Sequence, residues 1–293
     1  MIHRTGSACQ YGVREHVNGP RDDKTADWRL AERLTEVAIA ASAAILAVDF
    51  RDCGARLKAD NSPISRADEA AHAAIADGLA RVAPGIAVIS EEAAADWHGR
   101  TPPDEVLLVD PLDGTVEFLA GRLEYTVNIA LVRGGKPVVG VIAAPALGLM
   151  WRGAIDHGAE RLSFTAGEEV STNAERIRTR PWPDGECVAA VSRSHFDAVT
   201  KAFLERVAPV RPLAAGSALK FCRVAEGAVD VYPRLAPTSE WDVAAGHAIV
   251  VAAGGAVFAA GRGALRYGRA AERFGVAGFT AWGDAAAARR ILG

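Results

Sequence analysis

Val106-Leu107-Leu108-Val109-Asp110-Pro111-Leu112-Asp113-Gly114-Thr115 is the stretch on which the fold turns. The apolar run Val106–Val109 reads as a short buried strand that delivers the chain to Asp110. Pro111 stiffens the next step and Gly114 permits a tight turn. Such a turn can aim the carboxylates of Asp110 and Asp113, with the Leu112 carbonyl between them, at one point. Hard cations such as Mg²⁺ take oxygen ligands in octahedral geometry at ~2.0–2.1 Å. A helix starting at Gly114-Thr115 would place free N–H groups, an anion site, beside that cation. Cation and helix terminus together suit a phosphate ester. Taken alone, an Asp-x-x-Asp turn reads equally as turn chemistry and a helix cap.

Working outward, other acids fall where they could join this pair. A β-rich run, Ile86–Ile89, ends at Ser90-Glu91-Glu92 as the other ends at Asp110, so neighbouring strand ends could bring the acids together. Asp242 opens a helix expected over Trp241–Ala253 and stopped by Gly254-Gly255; an acid there also complements a helix dipole. Asp68 follows Ser65 in a capping-box pattern at the head of a helix expected through Leu79. Each acid alone is ordinary.

The remaining pattern divides the chain. A helix with one apolar face is expected over Trp28–Val48, a hairpin over Tyr125–Val132 and Pro137–Ala143, and a strand over Met150–Gly153. Beyond the loop 167–185 the order becomes strand (Cys187–Ser192), helix (His195–Arg206), helix (Ser217–Glu226), strand (Ala228–Tyr232), with Asp284 capping a last helix. That alternation suggests an α/β layer. We expect a polar, mobile tail over 1–25, a first α+β domain over 26–160 that binds metal, and an α/β substrate-binding domain over 161–293.

Composition excludes several classes. With 33 Lys+Arg against 36 Asp+Glu, the net charge of −3 gives no bulk attraction for nucleic acid or anionic membrane. An anionic ligand must be held by a local cluster or by metal. Cys9, Cys53, Cys187 and Cys222 lack C-x-x-C spacing, so reduced thiols in a cytoplasmic protein are expected. No apolar run reaches the ~18 residues of a membrane span. Residues 1–25 lack the apolar core of a secretory leader. P-loop, H-E-x-x-H and G-x-S-x-G motifs are absent.

The string DPLDGTVEF at 110–118, with SEE at 90–92 and EWDVAAGHAIVVAAGG at 240–255, resembles the inositol monophosphatase superfamily over roughly Trp28 to Gly293. The resemblance implies a five-layered αβαβα sandwich of the inositol monophosphatase / fructose-1,6-bisphosphatase type, an α+β half and an α/β half with the active site between them. It implies that Glu91, Asp110, Asp113, Asp242 and the Leu112 carbonyl hold two or three Mg²⁺ ions. In the family the first acid of the Glu91-Glu92 pair is the usual ligand. Asp68 and Thr115 would position and activate a metal-bound water for direct attack on phosphorus. Gly114 and Thr115 would also meet the substrate.

Further marks are similar to the nucleotidase branch, the 3′(2′),5′-bisphosphate nucleotidases of the CysQ type. They are KADNSPISRAD at 58–68, Ser192-Arg193-Ser194-His195, and GSALKFCRVAEGAVDVYPRLAPTSEWD at 216–242. That likeness implies that Ser217, Lys220 and Arg234 grip a second phosphate and that His195 lies near the base. Read without it, Lys220 and Arg234 are solvated charges, Ser217 a helix N-cap and His195 a surface residue. Val116 stands where the branch usually carries Lys or Arg. The implied reaction takes adenosine 3′,5′-bisphosphate to AMP and phosphate, within sulfate assimilation, with sensitivity to lithium. An inositol or sugar monophosphatase is the alternative, and a catalytically silent metal-dependent binding protein the alternative of a different class. No nucleic acid polymer and no membrane is expected as a partner; a homodimer is allowed.

Overall fold

A computed structural model describes residues 23–58, 61–167, 173–193, 197–261 and 263–293. Seven strands form one sheet, in chain order from Ala87–Ser90 to Glu175–Ile177, each beside the next. Only the first pair, Ala87–Ser90 with Glu105–Asp113, is parallel; the rest are antiparallel. Period-two alternation sorts its side chains between two cores. Leu107, Val109, Ile129 and Val141 pack under the helices Asp23–Leu46 and Arg66–Val82. Val106, Leu108, Ala130 and Ile142 face the helices Leu219–Ala225 and Glu240–Ala252.

A second sheet of five strands covers the other side of those two helices. Its order is Val210–Ala215, Cys187–Ser192, Val231–Arg234, Phe279–Trp282, Ala256–Ala259. Its outer face packs Cys187, Ala189 and Val191 against Phe203, Leu204 and Ala288 of the helices Ala198–Arg206 and Ala285–Leu292. The layers therefore run helix, sheet, helix, sheet, helix, the expected sandwich. Glu240–Ala252 lies between two sheets and is apolar nearly all round, as a fully buried helix must be. Its Gly246 meets the Phe221 ring so closely that a Cβ there would collide, an overpacking that typically costs ~1–3 kcal/mol.

Several expectations shift. The first helix starts at Asp23, inside the expected tail; residues 1–22 are outside the described set. A division at 160/161 falls within the strand Gly158–Ser163, and the first sheet continues to Ile177; dividing the chain after Ile177 leaves both sheets whole. The strands Val210–Ala215, Ala256–Ala259 and Phe279–Trp282 were not anticipated. No helix among the described residues is long and apolar enough to cross a membrane. Cys53, Cys187 and Cys222 are free and buried; Cys9 is outside the described residues.

Candidate active site

The strand expected to stop at Val109 continues through Asp113. In a regular strand, residues three apart point to opposite faces. Here the register shifts: Asp110 pairs with Asn128 and Asp113 with Thr126, so one extra residue bulges out between them. Pro111, which cannot serve a regular ladder, sits within that bulge. The bulge turns both aspartates to one side, and both line a cavity of about 200 Å³. Gly114 then takes a left-handed φ of 95°, and Thr115–Leu119 follows as a short helix. At five residues it is a weaker anion site than the sequence suggested.

The other acids arrive as the chain ends two more elements. Glu91 follows the strand Ala87–Ser90, parallel to the first. Asp242 sits in the first turn of Glu240–Ala252, where the Thr238 hydroxyl and the Ser239 N–H (3.2 Å) both donate to its Oδ2, leaving Oδ1 for the cavity. Asp242 is thus both a helix cap and a wall of the cavity. Carboxylate oxygens of Glu91, Asp110 and Asp242 lie within 4.8 Å of one another. Burial, then the neighbouring acids, pushes Asp110 well above the usual carboxylate range. Burial takes Glu91 up to about 7 against the pull of Lys58. Asp242 rises through burial and Asp113. Buried like charges cannot all ionise without a counter-charge. An all-oxygen donor set in that state fits a hard divalent cation.

Lys58, which the sequence left without a role, supplies part of that counter-charge. Its Nζ donates to Glu91 at 2.7 Å and to Glu92 at 2.9 Å. Asp113 is held separately. The Ser217 hydroxyl donates to its Oδ2 at 2.7 Å, and Thr126 and Asn128 lie 3.5 Å from the same oxygen. Alternating polar residues in the otherwise apolar Thr126-Val127-Asn128-Ile129 were the available signal for those two.

Asp68 is buried behind the cavity. One oxygen accepts from the Ser65 N–H and hydroxyl, both at 2.7 Å, completing the capping box; the other accepts from the Thr115 hydroxyl at 2.9 Å. Thr115 is also 3.2 Å from the Leu112 carbonyl. With one proton to give, its shorter bond goes to Asp68.

Ser217, Lys220 and Arg234 line the same cavity as the acids. Ser217 is not the N-cap of its helix, which runs Leu219–Ala225 with Ala218 at the cap. Its φ is 51°, and its hydroxyl goes to Asp113 instead. Lys220 is buried, not solvated: Nζ donates to the carbonyls of Ala215 (3.2 Å) and Ser217 (2.5 Å) and lies 5.3 Å from the Tyr232 ring centroid. Burial pushes its pKa down to about 8, against the pull of Asp113. His195 lies outside the described residues. Val116 lines the cavity and is 47% exposed, so a residue at this position faces whatever the cavity holds.

The inositol monophosphatase family profile matches residues 29–289. The chain belongs to the inositol monophosphatase family. Members of this family depend on metal, in keeping with the acid cluster. Among its relatives is a protein from Shigella flexneri described as 3′(2′),5′-bisphosphate nucleotidase CysQ, 44% identical over 197 residues, or 67% of this chain and 76% of that one. The protein of the same description from Haemophilus influenzae is 32% identical over 202 residues, 68% and 73% of the two chains. The crystal structure of CysQ from Bacteroides thetaiotaomicron superposes with a TM-score of 0.73 at 36% identity, covering 86% of this chain and 96% of that one.

Proposed function

We propose that this family member is a Mg²⁺-dependent 3′(2′),5′-bisphosphate nucleotidase that converts adenosine 3′,5′-bisphosphate to AMP and phosphate. One observation carries the reading: a single cavity is lined by the carboxylates of Glu91, Asp110, Asp113 and Asp242 and by the cations Lys220 and Arg234. A substrate with one phosphate to cleave and another to hold needs both. The relatives described as CysQ nucleotidases point the same way.

Glu91, Asp110, Asp113, Asp242 and the Leu112 carbonyl are the residues that would hold two or three Mg²⁺ ions. Ions bound there would neutralise the ester's negative charge and make water more acidic. The protein's own part is orientation. Thr115 gives its proton to Asp68, so its lone pairs are free to accept from a water in the cavity and hold it for attack on phosphorus. Arg234 takes the phosphate that is not cleaved, with Lys220 beneath it; Ser217, whose hydroxyl proton goes to Asp113, lines that pocket without donating to the phosphate. His195, by its likeness to the nucleotidase branch, belongs near the base. An inositol or sugar monophosphatase is less favoured, since a monophosphate gives Lys220 and Arg234 no second anion to hold.

Exchanging Asp110 or Asp113 for Asn tests the ligand set. Each removes one ligand charge, so turnover should nearly vanish while far-UV circular dichroism stays that of the wild type. A folded Asp113→Asn enzyme with wild-type turnover at modest Mg²⁺ would refute the assignment.

A further inference from the structure

From Ala214 to Ser217, main-chain polar groups are taken one after another by side chains from elsewhere. The Ala214 carbonyl accepts from Arg193 Nη2 at 3.2 Å. The Ala215 and Ser217 carbonyls accept from Lys220 Nζ. The Gly216 N–H donates to Glu124 Oε2 at 3.1 Å. Glu124 is held in turn by the Arg193 guanidinium, Nε to Oε2 at 3.0 Å and Nη2 to Oε1 at 3.1 Å. A Cβ at Gly216 would press on the Glu124 main-chain carbonyl at 2.6 Å, so the contact demands glycine.

The turn fixed in this way carries Ser217 in a left-handed conformation (φ 51°), which a non-glycine residue keeps only when its surroundings impose it. Its product is the placement of the Ser217 hydroxyl on the Asp113 carboxylate. Glu124 lies just beyond the short helix Thr115–Leu119 of the first half, whereas Arg193 follows the strand Cys187–Ser192 of the second. A single carboxylate thus ties the two halves together at the point where Ser217 reaches across to Asp113.

We propose that Glu124 is a positioning residue: it holds the Gly216-Ser217 turn so that Ser217 orients the Asp113 carboxylate. It touches no reacting atom. The proposal rests on the phosphatase reading above for its effect on turnover, but its effect on metal affinity stands apart from any substrate.

The test compares Glu124→Ala, Glu124→Gln, Ser217→Ala and the double variant Glu124→Ala/Ser217→Ala. Two readouts are used: kcat/KM for phosphate release from adenosine 3′,5′-bisphosphate, and a Mg²⁺ titration followed by thermal unfolding without substrate. Glu124→Ala should lower kcat/KM about tenfold, equivalent to ~1.4 kcal/mol of lost positioning. It should also raise the Mg²⁺ concentration for half-maximal stabilisation several-fold, roughly as expected for contacts that couple. Glu124→Gln, whose amide oxygen can still accept from Gly216, should recover most of both. The double variant should be no worse than Ser217→Ala alone. Independent, multiplying losses in the double variant, or a Gln variant as impaired as Ala, would overturn the proposal. Should Glu124→Ala not fold, the Gln variant and the Ser217→Ala titration still decide it. If wild type releases no phosphate at all, the phosphatase reading fails, and the Mg²⁺ titrations alone judge Glu124.

Discussion

The Thr115 hydroxyl donates to the Asp68 carboxylate at 2.9 Å, across a gap between two helices that share no sequence neighbourhood. Asp68 is fixed from behind by Ser65, so the bond has a rigid acceptor. A capping residue of one helix thereby sets the proton direction of a hydroxyl that opens into the cavity.

Thr115→Ala should lower kcat by roughly a hundredfold while changing the Mg²⁺ requirement little, as expected when a contact that orients the attacking water in the transition state is lost. Thr115→Ser keeps the hydroxyl and should restore most of the rate. Steady-state kinetics over a range of Mg²⁺ separates the two effects. A raised Mg²⁺ requirement with kcat unchanged would mean that Thr115 serves the metal ligands instead.

Glu91, lifted from 4.5 to about 7, makes the metal-free protein sensitive to pH. The folded state keeps a proton that the unfolded state releases, so this contribution to stability is full below pH 4.5 and is lost as pH rises through about 7. Asp110 and Asp242, also raised, act in the same direction. The melting temperature of the metal-free protein should therefore fall between pH 5 and 8, and the gain from added Mg²⁺ should grow over the same range. Calorimetry in buffers of different ionisation enthalpy should show protons released on Mg²⁺ binding. Binding with no proton release at pH 6 would contradict the raised affinity of these acids for protons.

Arg234→Ala should raise KM for adenosine 3′,5′-bisphosphate ten- to a hundredfold, since a hydrogen bond to a charged group is worth ~1.5–3 kcal/mol. A substrate with one phosphate, such as 3′-AMP, should be affected far less. Lys220→Ala is the less specific test, because its ammonium also supports the Ala215 and Ser217 carbonyls. Equal losses on both substrates in Arg234→Ala would make Arg234 structural.

Val116→Lys should lower KM for the bisphosphate several-fold at low salt, since Val116 is exposed within the cavity wall. The gain should shrink at 0.5 M salt, where the Debye length falls to ~4 Å. An unchanged KM at low salt would show that this wall does not face the substrate's charge.

Much of this was legible in the sequence because the signals were local. Ser65-x-x-Asp68 and Asp284 at the last helix each declare themselves within a few residues and cap their helices as read, and the apolar run before Asp110 is a strand, though it extends to Asp113. What was not legible depended on tertiary pairing. The bulge at Pro111 is defined by register against Asn128 and Thr126, which no single strand reveals. Ser217 looked like an N-cap, yet a partner 104 residues away claims its hydroxyl. Val210–Ala215 was missed because Arg211 and Pro212 are poor strand formers, tolerated because this is an edge strand. Lys58 and Glu124 are ordinary surface residues by type, and only packing gives them partners inside the site.

The most direct measurement is phosphate release with Mg²⁺ from adenosine 3′,5′-bisphosphate, inositol 1-phosphate and fructose 1,6-bisphosphate, side by side at equal concentration. The account predicts Mg²⁺-dependent release with adenosine 3′,5′-bisphosphate preferred by at least about tenfold in kcat/KM, the ratio that one well-placed charged contact supplies. Preference for inositol 1-phosphate, or release that does not depend on Mg²⁺, would contradict it.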